Sequence, residues 1–158
     1  MDYSQINEVL ILGTTPSRQD YALLNRLDVR LVINMRLERP PYSSSTVSRI
    51  RTLWLPTLDS PFFPIPMHAL RRGVEAALAI IQDGGRVYVH CAAGRHRGVA
   101  MAAAILIALG QTPEQAMALI KEKRQVADPD IWYIRQRILR FAKVWQQLSE
   151  NRGYSIGS

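Results

Sequence analysis

The chain is poor in cysteine, in lysine and in long apolar runs, and each shortage excludes something. One cysteine among 158 residues makes an internal disulfide impossible and rules out a disulfide-held scaffold. An unpaired thiol fits a reducing compartment. The longest apolar run, Val99 to Leu109, spans eleven residues, well short of the roughly 20 needed to cross a bilayer. The opening Met1-Asp2-Tyr3-Ser4-Gln5 has no basic or apolar leader region, residue 2 is not glycine, and no cysteine stands near the C-terminus for lipidation. The expectation is a soluble, cytoplasmic protein. Only three of the twenty cationic residues are lysine, an arginine bias that genome composition explains as readily as chemistry.

What is present is ordinary globular balance, 47% apolar and 21% charged residues, which argues against disorder. At 158 residues about two-thirds of the unfolded surface can be buried, enough for one real core. We expect a single domain over residues 1–150 and a short tail over 151–158. The net charge of +7 favours an anionic partner: a phosphorylated molecule, a nucleic acid or an acidic membrane.

Strand and helix signals alternate, with no internal repeat. Glu8 to Leu12 is a short apolar run ending at Gly13, and Arg30 to Met35 is β-branched and apolar, so both read as strands. Between them Ser17-Arg18-Gln19-Asp20 has the form of a capping box, and a helix from about Arg18 to Leu27 follows. Arg36 to Ser48 is polar and rich in Pro and Ser, hence a loop. Arg51 to Leu55 is a strand, and Pro56, Pro61, Pro64 and Pro66 make the next segment irregular. Met67 to Gln82 is a helix entered through Pro66. Arg86 to His90 is a strand after the Asp83-Gly84-Gly85 turn. Val99 to Leu109 is apolar all round, which implies a buried helix. Thr112-Pro113-Glu114-Gln115 starts another helix, and Asp128-Pro129-Asp130 starts the last, which runs to about Leu148 with a frayed tail from Asn151. The fold class is α/β: a mostly parallel sheet of four to five strands with helices on both faces. Ligands of such sheets bind beyond the carboxyl ends of the strands, where Arg86–His90 delivers Cys91.

The stretch His90-Cys91-Ala92-Ala93-Gly94-Arg95-His96-Arg97-Gly98 carries the chemistry. A loop between a strand end and a helix N-terminus aims backbone N–H groups at one spot, with the partial positive charge of the helix behind them. That setting favours a thiolate and would cradle a tetrahedral dianion above it. Arg97, six positions after Cys91, can grip two phosphate oxygens bidentately, as lysine cannot. Gly94 supplies the positive φ or close approach that so tight a loop needs. Without this frame, a lone cysteine after a strand would be a small core hydrophobe.

The frame resembles the HC-x-x-G-x-x-R loop of cysteine-dependent phosphatases, in the dual-specificity branch of the protein tyrosine phosphatase superfamily. Leu10-Ile11-Leu12-Gly13 and Val32-Ile33-Asn34-Met35-Arg36 look like that branch's "lylG" and "viNLr" strands, and the resemblance spans roughly residues 6 to 148. It implies a dual-specificity phosphatase-like fold and hydrolysis of phosphomonoesters without metal or cofactor. Cys91 would form a cysteinyl-phosphate. The phosphate-binding loop Ala92, Ala93, Gly94, Arg95, His96 and Arg97 would stabilise the transition state, and His90 would orient the loop and tune the thiolate. The family's general acid is an aspartate about thirty residues upstream of the cysteine. Asp59, in Leu58-Asp59-Ser60-Pro61, fits that place; Asp83 belongs to a turn. Arg36 and Glu38 follow a strand end within reach of the site, and Glu38 could pair with Arg97. Phe62 and Phe63 could wall the pocket or pack the loop.

Two positions depart from the family pattern. Gly98 stands where Ser or Thr usually follows the arginine and assists breakdown of the phosphoenzyme, so slow dephosphorylation is expected. Arg95 and His96 resemble the Gly-Lys-His-Arg loop of phosphatases acting on inositol pyrophosphates, and would favour densely anionic substrates or lie on a solvated rim. Arg71-Arg72 reads as a solvated face. Arg135, Arg137, Arg140 and Lys143 interleave with Trp132, Tyr133, Phe141 and Trp145, aromatics whose helical spacing reads as core rather than as a nucleic-acid surface. The expected partner is a phosphorylated protein or a small anionic phosphate. Phosphotyrosine-like substrates come first, a phosphoinositide or inositol polyphosphate second, and a phosphate-binding pseudophosphatase with little turnover third. Nucleic acid ranks last.

Overall fold

The computed structural model describes residues 1–42 and 49–156. Among these described residues five strands and five helices follow in the order β1 (Tyr3–Gln5), β2 (Leu10–Gly13), α1 (Asp20–Arg26), β3 (Val29–Arg36), β4 (Arg51–Thr57), α2 (Met67–Gln82), β5 (Arg86–His90), α3 (Arg97–Ala108), α4 (Pro113–Lys123) and α5 (Trp132–Ile156). The sheet order is β1-β2-β5-β3-β4. Strands β2, β5, β3 and β4 run parallel, and only β1 is antiparallel, against β2. The α/β expectation therefore holds, with β5 in the centre and Cys91 at its carboxyl end.

The two faces are unequal. On one, α1 packs Tyr21 and Leu24 over Ile11, Val32 and Tyr88. On the other, α2 to α5 cover Leu10, Leu12, Leu31, Ile33, Val87 and Val89. Helix α3 lies between α2, α4, α5 and the sheet, and every residue from Arg97 to Ile107 is buried, as its all-round apolar sequence requires. Phe141 and Trp145 of α5 stack at 5.8 Å within this layer, so they are core. Arg71 pairs with Glu75 on the exposed side of α2, so it is a solvated face.

The caps behave as their chemistry dictates. Thr112 Oγ1 accepts from the Gln115 N–H at 3.1 Å, and Gln115 Oε1 accepts from the Thr112 N–H at 3.0 Å, an arrangement that stabilises α4 by about 1 kcal/mol. At Ser17 the reciprocal bonds with Asp20 are also present, although α1 itself begins only at Asp20.

Several boundaries differ from expectation. Tyr3–Gln5 forms a strand that its polar sequence does not announce. The first expected strand is shifted, to Leu10–Gly13, and Glu8 lies outside it. Strand β4 continues through Pro56 to Thr57, which an edge strand tolerates because the missing N–H can face away from the ladder. The last helix begins at Trp132, after the Asp128-Pro129-Asp130 turn, and runs to Ile156. The tail expected to fray from Asn151 is thus helical through 156. Residues 43–48 of the expected loop, and 157–158 of the tail, lie outside the described residues.

Candidate active site

The site grows from the end of β5. His90 is the last strand residue, level with Gly13 of β2 and Asn34 of β3. Cys91 follows, 3% exposed, then a loop over 92–96, then the first turn of α3 at Arg97. Gly94 has φ +62, and a Cβ there would come within 2.8 Å of the Arg124 Nε and of the Gly13 carbonyl. Only glycine meets both demands.

The outer side of this loop is held by its carbonyls. Thr15 Oγ1 donates to the Cys91 carbonyl at 3.2 Å. Arg124 donates from Nη2 to the Ala93 carbonyl at 2.8 Å and from Nε to the Gly94 carbonyl at 3.0 Å. The Asp128 N–H donates to the Arg95 carbonyl at 3.0 Å. A trans peptide points its N–H opposite to its C=O, so these bonds turn the N–H groups of Ala92, Gly94, Arg95 and His96 to the other side. The unpaired N–H groups of the first turn of α3 join them. The loop is thereby organised as an anion cradle.

Arg97 is 5% exposed and is gripped along one edge. Its Nη1 and Nη2 donate to Glu38 Oε2 and Oε1, both at 3.0 Å, and Nη1 also donates to the Thr57 carbonyl at 2.8 Å. Glu38 is itself placed by the turn after β3. Asn34 accepts from the Arg36 N–H and donates to the Arg39 carbonyl, and Arg36 Nε donates to Glu38 Oε1 at 2.8 Å. The Arg97 hydrogen bonds, opposed by partial burial, hold the Glu38 carboxyl down at about 2. Burial works against the charge of Arg97, but Glu38 outweighs it and keeps the guanidinium above its ordinary pKa. The Nε of Arg97 is buried with no hydrogen-bond partner among the described residues. A guanidinium has five N–H groups, and this arrangement leaves the Nε–Nη2 edge free, the fork that binds two oxygens of one phosphate.

Asp59 lies on the loop after β4. Its Oδ2 is 2.9 Å from His96 Nδ1, and its Oδ1 accepts from the Tyr133 hydroxyl at 2.7 Å. The structure therefore brings Cys91, Arg97, His96 and Asp59 into one neighbourhood. His96 is turned to Asp59, whereas Arg95 is exposed. Phe62 and Phe63 are 85% and 63% exposed and line a cleft of about 330 Å³ with Leu37, Leu58 and Pro64. His90 is buried, and burial, only partly offset by a hydrogen bond with the Cys91 main chain, lowers its pKa to about 4. It is neutral near pH 7. At Gly98 a Cβ would sit 3.5 Å from Cys91 Sγ and 2.9 Å from Leu12 Cδ1, so a serine there would bring its hydroxyl close to the sulfur at the cost of a small shift of Leu12.

A family model described as the catalytic domain of dual specificity phosphatases matches residues 10–143. The chain belongs to that family. This dual-specificity phosphatase domain is 27% identical over 132 residues to dual specificity phosphatase 28 of Mus musculus, covering 83% of this chain and 78% of the relative. It is 35% identical over 133 residues to the phosphatidylglycerophosphatase and protein-tyrosine phosphatase 1 of Rattus norvegicus, covering 77% of this chain and 67% of the relative. Among solved structures it is similar to PTPMT1 in complex with PI(5)P, with TM-score 0.81 and 28% identity over 93% of this chain and 98% of that one. The domain is a cysteine-dependent phosphatase. No helix among the described residues is long and apolar enough to cross a membrane.

Five contributors escape sequence reasoning: Thr15, Arg124, its partner Asp2, Asp128 and Tyr133. Arg124 stands in Lys121-Glu122-Lys123-Arg124, which looks like a solvated helix end, yet it is 3% exposed. Tyr133 sits among the aromatics that read as core, and its hydroxyl instead reaches the site. The one available signal is the Asp-Pro-Asp turn, which brings the start of α5 back to the loop.

Proposed function

We propose that this domain hydrolyses phosphomonoesters through a cysteinyl-phosphate on Cys91. The Cys91 thiolate attacks phosphorus, the S–P bond forms, and the ester P–O bond breaks as Asp59 gives its proton to the leaving oxygen. The Asp59 carboxylate then takes a proton from water, which attacks phosphorus and breaks the S–P bond, releasing inorganic phosphate and the thiolate. Arg97 and the loop N–H groups bind the equatorial oxygens throughout, and more tightly as charge gathers on them. The observation that supports this best is the free Nε–Nη2 edge of Arg97, held in place by Glu38 beside an N–H-lined loop that starts at Cys91. A working thiol calls for a reducing compartment, and we place the enzyme in the cytoplasm.

Phosphotyrosine-like esters are the first substrate class. A second reading, phosphorylated lipids, is favoured by Phe62 and Phe63, exposed on the loop that carries Asp59, where a hydrophobic pair could enter an acyl-chain surface. It agrees with relatives whose names state a lipid phosphatase activity.

The test is hydrolysis of p-nitrophenyl phosphate in EDTA, wild type beside Cys91→Ser, followed by an alkyl phosphate with Asp59→Asn. Activity should vanish with Cys91→Ser, and Asp59→Asn should slow the alkyl ester by roughly 10²- to 10⁴-fold. Activity retained without Cys91 defeats the proposal. Phe62→Ala with Phe63→Ala should lower the rate on a phosphoinositide in vesicles and spare a phosphotyrosine peptide if lipids are the substrate.

A further inference from the structure

Asp59 and His96 are drawn together from opposite sides of the site. His96 belongs to the phosphate loop, one residue before α3, and its side chain is only 14% exposed. Its Nδ1 lies 2.9 Å from Asp59 Oδ2. The Tyr133 hydroxyl donates to Asp59 Oδ1 at 2.7 Å and stands 3.4 Å from the same Nδ1. The Tyr133 and His96 rings meet edge to face at 5.9 Å. Burial, and after it the bond to Asp59, pushes the Tyr133 phenol up to about 12, so it remains a donor at every assay pH below that. His96 Nε2 is buried without a hydrogen-bond partner among the described residues, and Asp128 Oδ2 lies 4.0 Å away.

Both carboxyl oxygens of Asp59 are therefore engaged, one by the phosphate loop and one by the start of α5. An aspartate on a partly exposed loop would otherwise spread over several rotamers and lose rate through misplacement. Here the ring that fixes it is covalently part of the loop that would hold the phosphate, so the acid and the anion cradle share one frame.

We propose that His96 is a positioning residue for the general acid, which with Tyr133 presets the Asp59 carboxyl over the leaving-group side of the cradle. This rests on the reading of Asp59 as that acid. The device fixes the carboxyl in both states: protonated, Asp59 shares its Oδ2 proton with His96 Nδ1 as acceptor until the leaving oxygen takes it, and ionised, it accepts from the attacking water. It also gives the histidine of the Gly-Arg-His-Arg loop a role in catalysis rather than in gripping extra substrate charge.

The experiment is kcat/KM for p-nitrophenyl phosphate, whose leaving group needs no proton, and for an alkyl phosphate, whose leaving group does. It is run on the full chain with Asp59→Asn, His96→Leu, His96→Asn and Tyr133→Phe. With His96→Leu the alkyl phosphate should lose roughly 10- to 100-fold more kcat/KM than p-nitrophenyl phosphate loses. His96→Asn, whose amide reaches the place of Nδ1, should recover most of the alkyl rate, and Tyr133→Phe should show the same selectivity in weaker form. Equal loss on both substrates in His96→Leu and Tyr133→Phe would mean a damaged loop and overturns the proposal. So does an unchanged alkyl rate in His96→Leu when Asp59→Asn slows it. An unchanged alkyl rate in Asp59→Asn removes the general acid reading itself, a separate failure that takes this one with it. Should His96→Leu fail to fold, Tyr133→Phe and His96→Asn carry the same comparison.

Discussion

Two buried arginines flank the phosphate loop, and they are used in opposite ways. Arg124 spends all its N–H groups on the protein: Nε on the Gly94 carbonyl, Nη1 on Asp2 and Ser4, Nη2 on Asp2 and the Ala93 carbonyl. Arg97 is held by Glu38 and the Thr57 carbonyl along one edge and keeps the other edge free. A saturated guanidinium is a structural brace. One that is locked on one side and keeps unpaired donors on the other would, on the function proposed above, be a preformed receptor for an oxyanion, since the cost of ordering it has already been met in folding. The same residue type thus separates the architecture of the loop from its chemistry.

The largest test of that contrast is the pair Arg97→Lys and Arg124→Lys. Arg97→Lys should lower kcat/KM by roughly 10²- to 10³-fold, the loss seen when one transition-state donor is removed, far beyond what any accompanying loss of Tm from weakened bonds to Glu38 and Thr57 explains. Arg124→Lys should instead cost stability, about 2–4 kcal/mol from buried carbonyls left without donors, read as a Tm drop of roughly 5–15 °C. If the two variants behave alike in both assays, the distinction collapses.

Acid should act on the partners of the two regions next. His90 is held at about 4 in the fold against an ordinary value of 6.5, so the unfolded chain binds the extra proton between these values. Its contribution is present above pH 6.5 and is lost as pH falls toward 4, on the order of 3 kcal/mol. Glu38, lowered from 4.5 to about 2, adds stability that is present above 4.5 and is lost on further acidification. Denaturant midpoints measured from pH 7 downward should fall, and His90→Gln should flatten the upper part of that fall.

The smallest effect concerns Gly98. The space beside Cys91 Sγ admits a Cβ at 3.5 Å once Leu12 gives way. Gly98→Ser should raise steady-state turnover a few-fold and remove the burst of leaving group expected from slow dephosphorylation. A slower enzyme would show that the missing hydroxyl does not limit turnover.

How much of this is legible in the sequence depends on how far the partners lie along the chain. Cys91 and Arg97 are six residues apart in a loop whose ends are set by a strand and a helix, so local spacing suffices to place them. The buried α3 is legible because it has no polar face. Asp59 is found through the family's loop order rather than through its own surroundings. Arg124, Asp2 and Tyr133 are not legible: each reaches the site across long sequence separations, in segments whose local pattern describes a helix end, a terminus and a core stripe. Strand β1 is hidden for a related reason. Its residues Tyr3-Ser4-Gln5 carry no apolar alternation, and it is held by backbone pairing to β2 with Asp2 and Ser4 anchored on Arg124.

The most direct measurement is a rapid-quench reaction with p-nitrophenyl phosphate at high enzyme concentration, followed by peptide mass analysis of the trapped protein. The account predicts one phosphoryl group, on the peptide that carries Cys91, formed in the burst, absent in Cys91→Ser and strongly reduced in Arg97→Lys. Hydrolysis with no phosphorylated enzyme, or with the phosphoryl group on another residue, would contradict it.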